Sequence, residues 1–267
     1  MDKKGFQVSV LASSSSGNAV YIETPKKKIL VDAGLTGKKM ISLFSEISRN
    51  PANLDAILIT HEHSDHIKGV GVLARKFQLD VYANEDTWKV IEGKIGKLKS
   101  AQKHIFKMGK VKTFGDLDIE SFGVSHDAIS PQCYAFHKDE KTFVMLTDTG
   151  YVSERMCKVI CNADVYLMES NHDVQMLRMG AYSWNLKQRI LSDKGHLSNE
   201  DSAQALVEVL GNKTKRIYLG HLSQENNLRE LARMTVEATL KERSLEINEK
   251  VKIYDTYAKC ATEMFEV

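Results

Sequence analysis

The chain has 267 residues, of which 42% are hydrophobic and 27% are charged. This is the composition of an ordinary globular protein that can bury a sizeable core. Because the formal net charge is only +2, the field of the whole molecule excludes a strong general attraction to nucleic acids or membranes, and any binding of a polyanion must come from a local patch.

The predicted elements alternate between batches of strands and helices. Early strands are predicted at residues 7–12, 19–23, 28–31, 56–59 and near Val81, and helices at 38–49, 69–77 and 85–95. The stretch from 104 to 146 is β-rich, with strands at 117–124, 132–136 and 142–146. The last third has helices at 153–161, 184–191, 199–210 and 227–243, and strands at 164–168, 216–219 and 251–254. This order predicts an α/β (α+β) protein in which two packed sheets lie between helices, a four-layer αββα sandwich.

The sequence predicts one domain in the cytoplasm. No internal repeat or low-complexity linker is visible and only three prolines occur, so we expect a single domain over residues 1–267. Segment 1–7 is charged and lacks the apolar region of a signal peptide, and no run is long enough to cross a bilayer. The spacing of the cysteines fits neither a zinc knuckle nor a CxxC redox pair, so free thiols in a reducing compartment are expected at Cys133, Cys157, Cys161 and Cys260.

The segment ILITHEHSDH, which ends at His66, predicts a metal site. An apolar strand leads directly to His61, and alternation along an extended chain lets His61 and His63 face the same way. Asp65 and His66 follow where the chain turns into a helix, and they can face a second ion. Imidazole and carboxylate groups suit zinc, manganese or iron. The alternative is a polar turn, but three histidines and an aspartate within six residues argue against it.

The pattern H-x-H-x-D-H after a strand resembles the signature of the metallo-β-lactamase superfamily. Four further motifs match in order: LVDAG with Asp32, VSHD with His126, LTDTG with Asp148 and YLGHL with His221. The resemblance implies two metal ions, one held by His61, His63 and His126, the other by Asp65, His66 and His221, with Asp148 as a bridge and Asp32 supporting the ligands from behind. Considered alone, His126 and His221 would be ordinary core or surface histidines, and Asp32 a turn residue.

Two divalent ions, zinc or manganese with iron as a further option, imply a hydrolase. A water shared by two cations loses a proton near neutral pH and becomes a hydroxide nucleophile, and the cations neutralise charge on the attacked centre. We count Asp65 among the catalytic residues as well as the ligands. At position 148 many true β-lactamases have cysteine, whereas aspartate resembles the nucleases and thioester hydrolases of the superfamily.

Two segments favour cleavage of a phosphodiester. Glu169 in MESNHD and His196 in KGHLSNED resemble the glutamate and the proton-donating histidine of the transfer-RNA-processing nucleases. A carboxylate beside an imidazole fixes the ring and keeps it protonated, so that it can protonate a leaving oxygen. The alternative is that His196 only belongs to a polar helix entry. The stretch between Asp148 and His221 is too short for a β-CASP insertion, so none is expected.

The segments LASSSSGN, ESNHD and GHLS together resemble the YycJ (WalJ) family, compact DNA exonucleases that act from 5′ ends. The resemblance implies a 5′-to-3′ exonuclease acting on double-stranded DNA, whose substrate contacts are Ser15, Ser16, Asn18, Asn171, His172 and Ser198. Ser198 also has the position of a helix N-cap. One departure is Ser14, which stands where the family loop has glycine, a residue that allows closer approach of a phosphate.

Other interpretations stay open at this point. A thioesterase similar to glyoxalase II uses nearly the same ligands, and a non-catalytic regulatory protein can keep the fold. The lysines of residues 89–112 form a basic stretch that could follow a duplex or simply be a solvated face, and Trp88 within it could stack on a base or anchor a helix. The sequence predicts neither whether the substrate is DNA or RNA nor which oligomer the chain forms.

Overall fold

Two mixed sheets form the centre of the structure, a computed structural model that describes residues 5–243 and 250–267. The first sheet has the order β14-β1-β2-β3-β4-β5-β6. Its strands are β1 (Gln7–Ala12), β2 (Ala19–Glu23), β3 (Lys28–Val31), β4 (Ala56–Leu58), β5 (Asp80–Ala83), β6 (Lys103–Ile105) and β14 (Phe265–Glu266). From β3 to β6 the neighbours are parallel, whereas β14, β1, β2 and β3 pair antiparallel.

The second sheet repeats this plan in the order β13-β12-β11-β10-β9-β8-β7. Its strands are β7 (Val111–Phe114), β8 (Leu117–Gly123), β9 (Gln132–Lys138), β10 (Lys141–Leu146), β11 (Val165–Glu169), β12 (Arg216–Gly220) and β13 (Lys252–Asp255). From β10 to β13 the neighbours are parallel, and from β7 to β10 they are antiparallel. The carboxyl ends of parallel strands from both sheets therefore carry the loops that we expected to hold metal.

The described residues form nine α-helices. They are α1 (Gly37–Glu46), α2 (Ser64–Ile67), α3 (Val70–Phe77), α4 (Glu85–Ile95), α5 (Glu154–Ile160), α6 (Val174–Met179), α7 (Trp184–Ile190), α8 (Asn199–Val209) and α9 (Arg229–Glu242), with short 3-10 turns at Pro51–Asn53 and Ser100–Gln102. Helices α1, α3 and α4 pack on the first sheet, and α5, α8 and α9 pack on the second.

Alternation along the strands explains the four layers. In β3, Ile29 and Val31 face the core between the sheets, while Leu30 faces the helices. In β11, Leu167 faces the same central core and Tyr166 faces the helices on the other side. A strand that is buried on both faces has apolar residues at nearly every position. In the sequence such strands are therefore recognised as short apolar runs, not by alternation of apolar and polar residues. The predicted αββα sandwich is confirmed.

Some boundaries differ from the prediction. The helix expected at 38–49 ends at Glu46, because Ser48 adopts a φ of 54° that an α-helix cannot continue through. Helix α6 and strand β14 were not expected: α6 has only six residues, and β14 has two residues paired with β1. Residues 1–4 and 244–249 of the domain expected over 1–267 lie outside the described residues.

Candidate metal centre and substrate pocket

The predicted ligands and the predicted supporting group Asp32 meet where the parallel strands of both sheets end. Asp32 directly follows β3, His61 comes three residues after β4, Asp148 two residues after β10, and His221 directly after β12. Three of them turn the chain sharply: φ is 57° at Asp32, 59° at Asp148 and 55° at His221. Left-handed backbone at residues other than glycine is uncommon and is concentrated at functional sites.

The nitrogen and oxygen atoms of the ligand set converge at hydrogen-bonding distances. Nδ1 of His63 lies 3.1 Å from Nε2 of His61 and 3.3 Å from Nε2 of His126. On the other side, Nε2 of His66 lies 3.4 Å from Oδ2 of both Asp65 and Asp148, and Oδ2 of Asp148 lies 3.0 Å from Nδ1 of His221. The structure thus brings together all seven predicted ligands: His61, His63, Asp65, His66, His126, Asp148 and His221.

This geometry fits bound metal ions. Two nitrogens bound to zinc at about 2.0–2.1 Å in a tetrahedral arrangement lie roughly 3.3 Å apart. The observed spacings among His61, His63 and His126 are close to this value, and one ligand atom from each of these residues lies within 4.8 Å of the others. The same holds for His61, His66 and Asp148. A cation bound among these ring nitrogens would accept a lone pair from each of them.

Buried partners orient the imidazoles from behind. Nδ1 of His66 lies 2.7 Å from Oδ2 of Asp32, which also accepts a hydrogen bond from the Thr60 hydroxyl and has no exposed surface. Nδ1 of His126 lies 3.1 Å from the carbonyl oxygen of Gly195. When Nδ1 donates a proton to such an oxygen, Nε2 keeps its lone pair for a metal. Asp32 therefore lies where the sequence predicted a supporting group.

Burial and neighbouring charge set the protonation of the cluster. Burial lowers the pKa of His61 well below its usual value, and the nearby His66 lowers it further. Burial alone would raise the pKa of Asp148, but His221 and His66 outweigh it and hold the pKa of that carboxyl well below its usual value. Burial opposes a charge on His221, yet Asp148 raises the pKa of His221 to about 9. These effects leave a neutral imidazole at His61 and a carboxylate at Asp148, and a cation that binds at His221 would displace the proton of that ring.

Glu169 and His196 form a pair at the pocket surface. Nδ1 of His196 lies 2.7 Å from Oε1 of Glu169, which is fully buried at the end of β11. The other carboxylate oxygen, Oε2, accepts the backbone N–H of Thr149 at 2.9 Å. His196 lines the pocket, and its ring centroid lies 5.0 Å from that of His126. The pair therefore presents the second ring nitrogen of His196 beside the ligand set.

The residues expected to contact substrate occupy different surroundings. Ser15 and Asn171 line the pocket, and Asn171 also donates to the carbonyl of His221 at 2.8 Å. Nδ2 of Asn18 lies 3.1 Å from Nε2 of His66, so Asn18 touches the ligand set itself. The exposed Ser16 accepts a hydrogen bond from Gln224.

His172 and Ser198 are buried and do not line the pocket that the described residues form. Ser198 is the N-cap of α8, as its position predicted, and its hydroxyl accepts the N–H of Asp201 at 3.0 Å. Substrate contact by these two side chains stays a prediction. Ser14 lies outside the left-handed region, so its backbone does not require glycine. Glycine is essential instead at Gly34, where a Cβ would lie 1.6 Å from the carbonyl oxygen of Asp65.

Sequence reasoning missed one whole wall of the pocket. The cavity has a volume of about 270 Å³, and its wall from the α6–α8 region is lined by Tyr182, Leu186, Arg189, Ile190 and Lys194. Asp127, which follows His126, also lines it and forms an ion pair with Arg189. Only the adjacency of Asp127 to a predicted ligand signalled any of these residues in the sequence.

The basic stretch is partly neutralised by its own neighbours. Lys89 pairs with Asp86 at 2.7 Å, and Lys103 pairs with Glu92. Trp88 is buried and donates from Nε1 to the carbonyl of His104, so it anchors α4. A role for this surface in binding nucleic acid stays a prediction.

Comparison with known proteins assigns the family. The model of the Beta-lactamase superfamily domain matches residues 27–222. The exodeoxyribonuclease WalJ of Streptococcus pneumoniae serotype 2 (strain D39 / NCTC 7466) is 63% identical, covering 100% of both chains, and the exodeoxyribonuclease YycJ of Bacillus anthracis is 54% identical, covering 97% of this chain and 98% of the relative. The chain belongs to the WalJ/YycJ family of the beta-lactamase superfamily.

Solved structures of this superfamily share the fold of the WalJ/YycJ-family chain. The metallo-beta-lactamase fold protein YhfI from Bacillus subtilis superposes with a TM-score of 0.74 at 16% identity, covering 97% of this chain and 100% of YhfI. At that identity the likeness supports the fold alone. Among the described residues, no helix is both long and apolar enough to span a membrane.

Proposed function

We propose that the chain is an exonuclease that degrades double-stranded DNA from 5′ ends with the help of two divalent cations. It is a metal-dependent hydrolase of the WalJ/YycJ family, and full-length relatives are named exodeoxyribonucleases. The observation that carries the proposal is a dense histidine and aspartate cluster beside the Glu169–His196 pair, with one pocket lined by six of these residues: His63, Asp65, His126, Asp148, His196 and His221.

The residues that would hold the cations fall into two sets. His61, His63 and His126 form one, and Asp65, His66 and His221 form the other, with Asp148 between them. Two divalent cations supply an activated water nucleophile and neutralise charge on the scissile phosphate. Zinc and manganese both accept these ligands, with iron as a further option.

The chain's own groups orient the reaction. Asp32 and the carbonyl of Gly195 fix the rings of His66 and His126, so that the ligand atoms are preorganised. Glu169 accepts a hydrogen bond from Nδ1–H of His196 and stabilises the imidazolium, whose other proton lies on Nε2. From there His196 donates a proton to the oxygen that leaves the phosphorus.

We propose the cytoplasm as the location and one domain as the organisation. All four cysteines are free, which fits a reducing compartment. The described residues form two sheets in mutual contact through one central core, which fits a single domain.

Digestion of end-labelled duplex DNA tests the function. The chain should release labelled nucleotides from 5′ ends with added Mn²⁺ or Zn²⁺ and should stop when a chelator is added. Parallel reactions with RNA and with an acyl thioester separate the alternatives. Hydrolysis of the thioester without degradation of DNA would support the enzyme similar to glyoxalase II, and no turnover with any metal would support a regulatory protein.

A further inference from the structure

The positive charge of the pocket is confined to one wall. Asp65, Asp127 and Asp148 line the cavity beside the metal ligands, whereas Arg189 and Lys194 belong to the wall from the α6–α8 region. Among the described residues that line this cavity, these two are the only side chains with a permanent positive charge. Because Asp65 and Asp148 hold the cations of the proposed function, they attract the scissile phosphate, and the rest of a polyanionic strand is attracted to the wall that carries Arg189 and Lys194.

Arg189 faces the ligand set through a carboxylate. Its guanidinium forms an ion pair with Oδ2 of Asp127. The other oxygen of Asp127, Oδ1, lies 3.3 Å from Nε2 of His126 and 3.9 Å from Nε2 of His63. An anion therefore already lies between the guanidinium and two ligand imidazoles. A phosphate is negatively charged like the carboxylate of Asp127, and like a carboxylate it can accept two parallel hydrogen bonds from one arginine.

The backbone fixes this wall relative to the metal ligands. The carbonyl of Gly195 lies 3.1 Å from Nδ1 of His126, and the N–H of His196 donates to the carbonyl of Ile190 at 3.1 Å. Gly195 packs so closely that a Cβ would lie 2.0 Å from that carbonyl oxygen. Lys194 is therefore attached directly to a residue that holds a ligand in place.

We infer that Arg189 and Lys194 bind the phosphate next to the scissile one and so make the pocket specific for a nucleic acid strand. The inference rests on the proposed function. A cavity of about 270 Å³ is slightly smaller than the usual ligand pocket of about 300–1,000 Å³, which fits one nucleotide unit rather than a longer stretch of strand. The neighbouring phosphate then falls on the wall, which Tyr182 also lines, and an aromatic side chain in such a place can stack on a base. Asp127 holds Arg189 until the strand enters.

The salt dependence of binding tests the inference without catalysis. A short fluorescein-labelled duplex is titrated with the full chain in chelator, and affinity is measured by anisotropy at several salt concentrations. Arg189→Gln and Lys194→Gln should each weaken binding by about tenfold and reduce the slope of log affinity against log salt by about 0.9. Arg178→Gln removes the same charge from α6, where the side chain is exposed and does not line the pocket, and is the matched control. Equal slopes for all three variants would overturn the inference.

Substrates with one neutral linkage locate the contact. Duplexes are prepared with a methylphosphonate on one or the other side of the scissile phosphodiester. The unmodified chain should show a KM raised by about tenfold for one of the two, with kcat nearly unchanged. For the double variant Arg189→Gln/Lys194→Gln, the KM should be the same for both methylphosphonate duplexes as for ordinary DNA. If the chain degrades ordinary duplex but neither substitution changes KM, the proposed function stands and this inference fails.

Discussion

Nδ1 of His66 lies 2.7 Å from Oδ2 of Asp32, and neither side chain has any exposed surface. The Thr60 hydroxyl lies 3.2 Å from the same ring nitrogen and donates to the same carboxylate oxygen. Burial raises the pKa of Asp32, and the charge of His66 opposes this increase. The buried carboxylate, which also accepts the backbone N–H of Thr60 at 2.9 Å, keeps the ring of His66 in one orientation and leaves Nε2 directed at Asp65 and Asp148.

Replacing this carboxylate should weaken metal binding. Asp32→Asn keeps the shape but removes the negative charge that favours a proton on Nδ1 of His66. We expect the affinity for zinc or manganese to fall by about 10- to 100-fold, measured by competition with a chelating dye. Asp118→Asn, at an exposed carboxylate that accepts from Thr113, is the control. Equal metal affinities for the two variants would contradict the role of Asp32.

Replacing His196 should separate proton donation from metal binding. His196→Ala should lower kcat on duplex DNA by about 10²- to 10⁴-fold while metal content stays at the level of the unmodified chain. Glu169→Gln should act in the same direction, because the neutral amide no longer stabilises the imidazolium.

A control for this pair is His137→Ala, which removes a half-buried imidazole near Thr142, remote from the pocket lining. Its turnover should be nearly normal. Loss of metal from His196→Ala would instead make His196 a ligand, and normal turnover of that variant would reject its part in the reaction.

His172 should make stability depend on pH. Burial lowers the pKa of His172 from 6.5 to about 4, so the unfolded chain binds this proton and the folded chain does not between those values. The free energy of unfolding therefore falls as pH decreases from about 6.5 to 4, by roughly 3 kcal/mol for this group.

Urea unfolding of the unmodified chain and of His172→Phe from pH 7 to pH 4, both in chelator, measures this contribution. Phenylalanine keeps a planar ring without a titrating nitrogen, so the variant should lose less stability as the pH falls. Parallel stability curves for the two proteins would show that His172 does not contribute.

Adding one methyl group at Gly195 should disturb the site. A Cβ there would lie 2.0 Å from the carbonyl of Ile190, so the segment must move and carry with it the acceptor of His126 and the ring of His196. We expect Gly195→Ala to lower kcat by at least tenfold and to reduce the melting temperature. Gly93→Ala is the matched control, because nothing lies within 4 Å of its added Cβ in α4. That change should stabilise the helix by about 0.5–1 kcal/mol and leave turnover unchanged.

The sequence predicted what is encoded locally. His61 to His66 follow one apolar strand. The end of a strand places the following loop at the edge of the sheet, and this placement does not depend on distant parts of the chain. The wall with Arg189 was not predictable in this way, because α7 meets Asp127 only through packing between segments more than sixty residues apart. Thr60 was missed for a related reason: a threonine before a histidine has no pattern of its own, and its contact with Asp32 depends on the pairing of β3 with β4.

The left-handed turns at Asp32, Asp148 and His221 divide the pocket into two parts that tolerate change unequally. At these turns glycine, asparagine and aspartate fit the backbone well, so most other residues there reduce folding stability as well as removing a group of the site. The wall from α7 has no such restriction, since Arg189 and its exposed neighbours adopt ordinary helical backbone. Substitutions in α7 can therefore change substrate preference while the metal ligands stay unchanged.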